Sequence, residues 1–322
     1  MAKDILAAKH FHDDEAACRL LEGIRWSAGR VCPHCGSIGR SYETKRRQRN
    51  GAIVYRCGER ECRKDFTVTT KSVMESSHIA LHKWLQGFYQ MSSSKKGISA
   101  HQLHRTLGIT YKAAWFLAHR IREAMRAGGL VPMGGEGKIV EADETYYGRV
   151  DKANVRTKTT SGRPFTKSGK TANKRPIVAL VERGGSIRTF HVAVANAETV
   201  GKIVSDNVAR ESRLHTDESR LYPTIGETFF AHETVKHSAG EYARREDGYS
   251  VHTNTAEGYF GVFKKGMRGV YQHCAEKHLH RYLSEFDFRF NNRVAVGVGD
   301  TERTTRAIAG AAGKRLTYRQ PH

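Results

Sequence analysis

The chain has 322 residues, and 54 Lys and Arg against 33 Asp and Glu give it a formal charge of +21 and a pI near 9.9. Such a surplus favours a polyanionic partner, and nucleic acid fits because each neutralised phosphate releases a condensed counterion. A membrane span is excluded, since the longest apolar runs, such as Ile177–Val181, are far too short, and the opening MAKDILAAKHFHDDE has no signal-peptide apolar stretch.

In chain order, Asp13 caps a predicted short helix with Ala17, Leu20, Leu21 and Ile24 on one side. Cys32-Pro-His-Cys35 and Cys57-Gly-Glu-Arg-Glu-Cys62 follow. Two tight pairs joined by a basic loop supply the four thiolates that tetrahedral Zn²⁺ prefers, and they suit a reducing compartment better than a disulfide framework. His34 is a weaker alternative ligand, while Cys18 and Cys274 lack a close partner and read as core. The flanks, Lys45, Arg46, Arg47, Arg49, Arg63 and Lys64, favour DNA contact. A strand-like tail, Asp65–Thr70, closes this segment.

A helix is predicted around Ile79–Met91, where Leu81, Trp84, Leu85 and Phe88 fall at helical spacing, and a turn at Ser92–Gly97. Helices at Ser99–Leu107 and Thr110–Arg126 complete a helix-turn-helix pattern: Ser99 and Thr110 cap, Leu103 and Leu107 pack inward, and Gly108 makes the turn. An ordinary helical hairpin with a basic face is the alternative. The first residues of a recognition helix meet base edges, so Tyr111 and Lys112 are the leading DNA contacts, with Arg120 further along.

Gly128–Gly137 reads as a linker. Strands are predicted at Lys138–Tyr147, Pro176–Arg183 and Ser186–Ala195, with Gly184-Gly185 as a hairpin signal and Arg149–Arg175 as a mobile basic loop. A helix at Glu198–Arg210, a strand at Arg213–Asp217 and a helical last third follow. In the latter, Tyr282, Phe286 and Phe288 read as core rather than as an assembly surface. Alternation along the first strand puts Glu141, Asp143 and Thr145 on one face and Glu144 on the other. A mid-strand Asp143 is costly to desolvate unless a cation or donor meets it, and Asp217 closes a strand, where open sheets place ligand groups. In His252–Lys265, a helix would align Glu257, Gly261 and Lys264 on one stripe with Asn254 a turn earlier. A basic protein gathering carboxylates in this way suits divalent ions that act on phosphate esters.

The stretches CPHCGS, ISAHQLHRTLGITYKAAWFLAHRIREAM, EADETYYG, HTDESRLY, HSAGEYAR, HTNTAEGYFGVFKKGMRGVYQH, KHLHRYLSEFDFRFNNR and GKRLTY resemble bacterial insertion-sequence DDE transposases with an ISXO-like domain. The resemblance implies an α/β protein, with a ribonuclease-H-like mixed-sheet catalytic core preceded by a zinc ribbon and a helix-turn-helix. The implied divisions are 1–75 (helix and ribbon), 76–130 (helix-turn-helix), 131–300 (catalytic core) and 301–322 (tail). It makes Asp143 and Asp217 the first two metal-holding acids, and Glu257, with Asn254 as the alternative, the third, followed by Lys264. Lys265 is placed with the DNA contacts. The implied cofactors are Mg²⁺ or Mn²⁺ at the acids and Zn²⁺ in the ribbon. The implied partners are double-stranded DNA, as terminal inverted repeats and target, and further copies of the chain in a homodimer or larger assembly, in the cytoplasm at the nucleoid. Two rival expectations are a ribonuclease-H-like nuclease without strand transfer and a host-adopted DNA-binding regulator.

Overall fold

The computed structural model describes residues 5–129, 131–150, 155–156, 165–166, 173–246 and 248–317. The chain divides into two compact units, 1–127 with 292–322, and 128–291.

In the first unit, Asp13 accepts the Ala16 amide at 2.7 Å and starts helix α1 (Asp14–Arg25), which buries Ala17, Cys18 and Leu21. Strands β1 (Ser41–Arg47), β2 (Ile53–Cys57) and β3 (Asp65–Phe66) form an antiparallel sheet. The last strand is shorter than the expected Asp65–Thr70. The Thr70 hydroxyl accepts the Thr67 amide at 2.9 Å and turns the chain there, side-chain oxygen competing with the ladder. Helix α2 (Leu81–Ser93) buries Trp84, Leu85 and Phe88. Helices α3 (Ala100–Leu107) and α4 (Tyr111–Met125) are capped by Ser99 and Thr110, and Gly108 between them is left-handed at φ 57°. The segment expected to be a tail holds most of a helix, Asp300–Ala309, which packs on α2, α1 and α4. Its buried Arg303 donates to the carbonyls of Ser92, Asn292 and Val298, a reason for the segment to fold back.

The second unit contains β4 (Ile139–Arg149), β5 (Val155–Arg156), β6 (Phe165–Thr166), β7 (Lys174–Glu182), β8 (Ile187–His191), α5 (Ala197–Asn207), β9 (Arg213–Asp217), α6 (Pro223–Gly226), β10 (Ala231–Val235), β11 (Arg244–Glu246), β12 (Tyr249–Val251), α7 (Asn254–Gly266) and α8 (Leu279–Asn291). Its main sheet has the order β10-β9-β4-β7-β8. The first three strands of that sheet in the chain, β4, β7 and β8, form an antiparallel meander. β9 then pairs parallel with β4, and β10 parallel with β9. A central first strand in a mixed five-stranded sheet is the ribonuclease-H-like arrangement. Most of the expected Arg149–Arg175 loop lies outside the described residues, apart from the β5–β6 pair within it. Among the described residues no helix is long and apolar enough to cross a membrane.

Both faces of the sheet are covered, which is why β7 reads as a near-continuous apolar run. Ile177, Ala179 and Val181 pack against Phe260 and Phe263 of α7 and Leu283 and Phe286 of α8. Val178 and Leu180, with Val140 and Ala142, pack against Val200 and Val204 of α5. Asp287 fastens α8 to the sheet, accepting from the Thr189 amide (3.0 Å), the Thr189 hydroxyl (2.9 Å) and the Tyr259 hydroxyl (2.6 Å). Loss of hydration outweighs these donors and pushes its carboxyl up to about 7.

A folded-state value above the unfolded one means that stability is fully present in acid and lost as pH rises through about 7. The thermal midpoint should fall as pH rises from about 4 to about 7 and level off above that, by about 2–4 °C per kcal/mol in a domain of this size. Asp287→Asn should flatten the fall; an equally steep fall in the variant would show that Asp287 is not its source.

Candidate active site and metal centre

The four cysteines of the first unit lie with their sulfurs within 4.8 Å of one another. Cys32 and Cys62 Sγ are 3.8 Å apart and Cys35 and Cys57 Sγ 3.6 Å. Tetrahedral zinc with Zn–S near 2.3 Å puts its sulfurs about 3.8 Å apart, so the donor set fits Zn²⁺. The Ser37 backbone amide draws the Cys35 thiol down to about 6, while burial pushes Cys32 up to about 11, a cost that a bound cation would offset. His34 turns away and meets the Asp65 carbonyl at 3.2 Å. Among the described residues no other group of three or more His, Cys, Asp and Glu side chains is drawn this close.

At the start of α4, Tyr111 is 44% exposed with its ring stacked on His101 at 4.3 Å, and Lys112 is exposed. Arg120 corrects the sequence reading. It is buried, its Nε donates to the Leu316 carbonyl at 3.2 Å, and its guanidinium lies over Phe116. Its helical position turns it inward with Leu117, Ile121 and Ala124.

In the second unit, β4 and β9 run parallel with Ile139 beside Arg213, Val140 beside Leu214 and Glu141 beside His215. Asp143 and Asp217 each stand two residues beyond the last pair, at matching positions of neighbouring strands. Burial, and then the charges of Asp217, Glu144 and Glu257, push the Asp143 carboxyl up to about 8. Burial also raises Asp217, while the Ser219 amide, 3.0 Å from Oδ1, and His237 pull it down. From α7, Lys264 is held below its ordinary value by burial, against the attraction of Asp143. Glu257 and Asn254 are exposed on the first turn of the same helix. The structure therefore brings Asp143, Asp217, Glu257 and Lys264 into one electrostatic neighbourhood. Lys265 is exposed beside it. A partly dehydrated Asp143, whose carboxyl the neighbouring acids raise further, suits a hard divalent cation, which takes oxygen ligands and offsets such repulsion.

Three neighbours received no role from the sequence. His237 Nε2 lies 3.3 Å from Glu257 Oε1. Glu144, on the opposite face from Asp143, accepts from the hydroxyls of Ser219 (3.0 Å) and buried Tyr222 (2.6 Å), tying the loop after Asp217 to β4. Glu141 is fully buried between β4 and α7. His237 and Tyr222 lie in the motif stretches HSAGEYAR and HTDESRLY, the only available signal for them.

Residues 134–291 match the family described as ISXO2-like transposase domain, and residues 12–65 match the transposase zinc-ribbon domain. The chain is 28% identical over 295 residues to an uncharacterized protein in transposable element ISH50 of Halobacterium salinarum, covering 88% of this chain and 93% of that one. Among solved structures it is similar to a pre-cleavage Mos1 transpososome (12% identity, 70% and 73% of the two chains, TM-score 0.26) and to the Mos1 strand transfer complex (13%, 70% and 72%, TM-score 0.26). At those scores the overlaps carry no residue correspondence.

Purified chain should contain about one zinc per polypeptide, and Cys57→Ser should lose it and lower the melting temperature of the first unit, since a structural zinc site contributes folding energy directly. A metal-free chain with an unchanged melt would contradict the zinc assignment.

Proposed function

Residues 134–291 belong to the ISXO2-like transposase domain family and residues 12–65 to the transposase zinc-ribbon family, and on that premise we propose that this chain cuts the ends of its own insertion sequence and joins them to target DNA. What supports the reading is that Asp143 and Asp217 stand at matching positions of neighbouring strands while Glu257 and Lys264 of α7 lie within electrostatic reach of Asp143.

Asp143, Asp217 and Glu257, with Asn254 as the alternative third group, would hold Mg²⁺ or Mn²⁺. Divalent ions supply an acidified water and charge neutralisation at the phosphoryl oxygens. In the first step a water oxygen bonds to phosphorus at the element end, the bond to the 3′ oxygen breaks, and that oxygen takes a proton to become a hydroxyl. In the second, this hydroxyl attacks a target phosphodiester, whose own 3′ oxygen leaves. No protein nucleophile is required, so the chain contributes position and charge. Lys264, within electrostatic reach of Asp143, would neutralise a phosphate there, and exposed Lys265 would extend that charge. Gly258 and Gly261 leave the α7 surface open, because a Cβ at either would meet nothing within 4 Å. His237 holds the Glu257 carboxylate from the side.

The helix-turn-helix and the basic ribbon flanks would read and grip the terminal repeats, with Tyr111 and Lys112 at base edges and phosphate. Cutting both ends together calls for a dimer or larger assembly on DNA.

Asp143→Asn and Asp217→Asn should abolish Mg²⁺-dependent cleavage of end-bearing DNA while a gel shift shows binding within about twofold of wild type, since neither residue lies in the helix-turn-helix. Wild-type cleavage by either variant would overturn the site. Cleavage without any joined product would leave a nuclease and remove strand transfer. Lys112→Ala should weaken DNA binding and reduce the salt slope by about one; an unchanged slope would remove Lys112 from the interface.

A further inference from the structure

Glu141 has no solvent exposure, yet it stands two residues before Asp143 on the same face of β4. Its two oxygens are used differently. Oε1 accepts from Arg183 Nη2 (2.9 Å), Arg183 Nε (3.1 Å) and the Thr255 hydroxyl (2.9 Å), and lies 3.3 Å from His252 Nδ1. Oε2 accepts the backbone amides of Thr255 (2.9 Å) and Ala256 (3.1 Å), in the first turn of α7. Arg183 is itself spread over the Ser250 carbonyl (2.6 Å), the His252 carbonyl (3.1 Å) and His215 Nδ1 (3.3 Å). A carboxylate needed only to neutralise Arg183 would have no reason to give one oxygen wholly to a helix start.

We infer that Glu141 is a positioning residue, one that fixes the first turn of α7, and with it Glu257 and Asn254, at a set distance from Asp143. The lever is short at both ends. Glu141 and Asp143 are separated by about 6.8 Å of one strand, at roughly 3.4 Å per residue. Glu257 directly follows Ala256, so the gripped amides and the proposed ligand share one helical turn, and the Glu257 amide closes that turn on the Thr253 carbonyl at 3.1 Å. The grip uses amides that have no partner within a helix, and a carboxylate also complements the positive end of the helix dipole. Arg183 and His252 surround the carboxylate and bind it to the segment leading into α7. Glu141 touches neither substrate nor the proposed metal; it acts through α7.

This inference rests on the reading that Asp143 and α7 share a divalent-ion site, and the test separates the two. Mn²⁺ affinity is measured by electron paramagnetic resonance on the zinc-loaded full chain, and amide exchange at Thr255 and Ala256 by mass spectrometry, for wild type, Glu141→Gln, Thr255→Val, Glu257→Gln and the Glu141→Gln/Glu257→Gln pair. In Glu141→Gln the new side-chain amide would turn a donor towards Arg183 or the helix amides. Exchange should accelerate, and Mn²⁺ affinity should drop about tenfold, the scale of supporting-shell changes at metal sites. Thr255→Val, which removes one donor to Glu141, should fall between, and it carries the test if Glu141→Gln does not fold. The double variant should bind Mn²⁺ no more weakly than Glu257→Gln, because a lever has no effect once its load is removed. If Glu257→Gln binds as wild type, Asn254→Ala takes its place in the cycle. Wild-type Mn²⁺ affinity in both Glu141→Gln and Thr255→Val, or losses that multiply in the double variant, would overturn the inference. Wild-type affinity in Asp143→Asn would instead remove the shared site itself.

Discussion

Strand β4 carries Glu141, Asp143 and Glu144 within four residues, and a sheet buried on both faces has little water to offer any of them. An uncompensated buried carboxylate is among the costliest groups a fold can hold. Each of these is met differently. Glu141 receives helix amides and Arg183, Glu144 receives the hydroxyls of Tyr222 and Ser219, and Asp143 is left beside Asp217 with its carboxyl pushed up to about 8. The two satisfied acids draw α7 and the post-β9 loop onto the strand. Asp143, which a backbone hydrogen bond and the charge of Lys264 offset only in part, is where the demand for further positive charge is greatest.

That demand gives physical sense to acids inside a chain of net charge +21. Surface lysines and arginines attract a phosphate backbone over a Debye length and carry no information about which bond to break. A small anionic pocket among them would select a divalent ion, and the ion would select phosphate. Long-range attraction and local chemistry thus require opposite charges, and the second unit carries both, with acids on β4, β9 and α7 and an exposed cation, Lys265, on α7.

Much of this was legible in the amino-acid sequence. Asp13, Ser99 and Thr110 cap the helices whose starts they signal, because a short side-chain oxygen ahead of a periodic apolar pattern has few other uses. β9 spans the Arg213–Asp217 read from the sequence, and the cysteine spacing yields a converged sulfur cluster. What escaped was long-range. β10 (AHETV) and the β11–β12 pair are too short and too polar to show alternation, and they exist because a neighbouring strand supplies their partners. Glu141 was visible as a face-mate of Asp143, but its partners lie 114 and 115 residues away, beyond any local pattern. Arg120 misled because a basic residue on a presumed recognition helix looks exposed until the closing segment, with Leu316, covers it.

On the proposed reading, Asp143, Asp217 and the first turn of α7 wall one cation site. Anomalous diffraction from crystals of the full chain soaked in Mn²⁺ tests it directly. Density is expected between the two aspartates, with an oxygen of Glu257 or Asn254 as a further ligand. Manganese bound elsewhere, with Asp143 and Asp217 turned from it, would rule out a shared site.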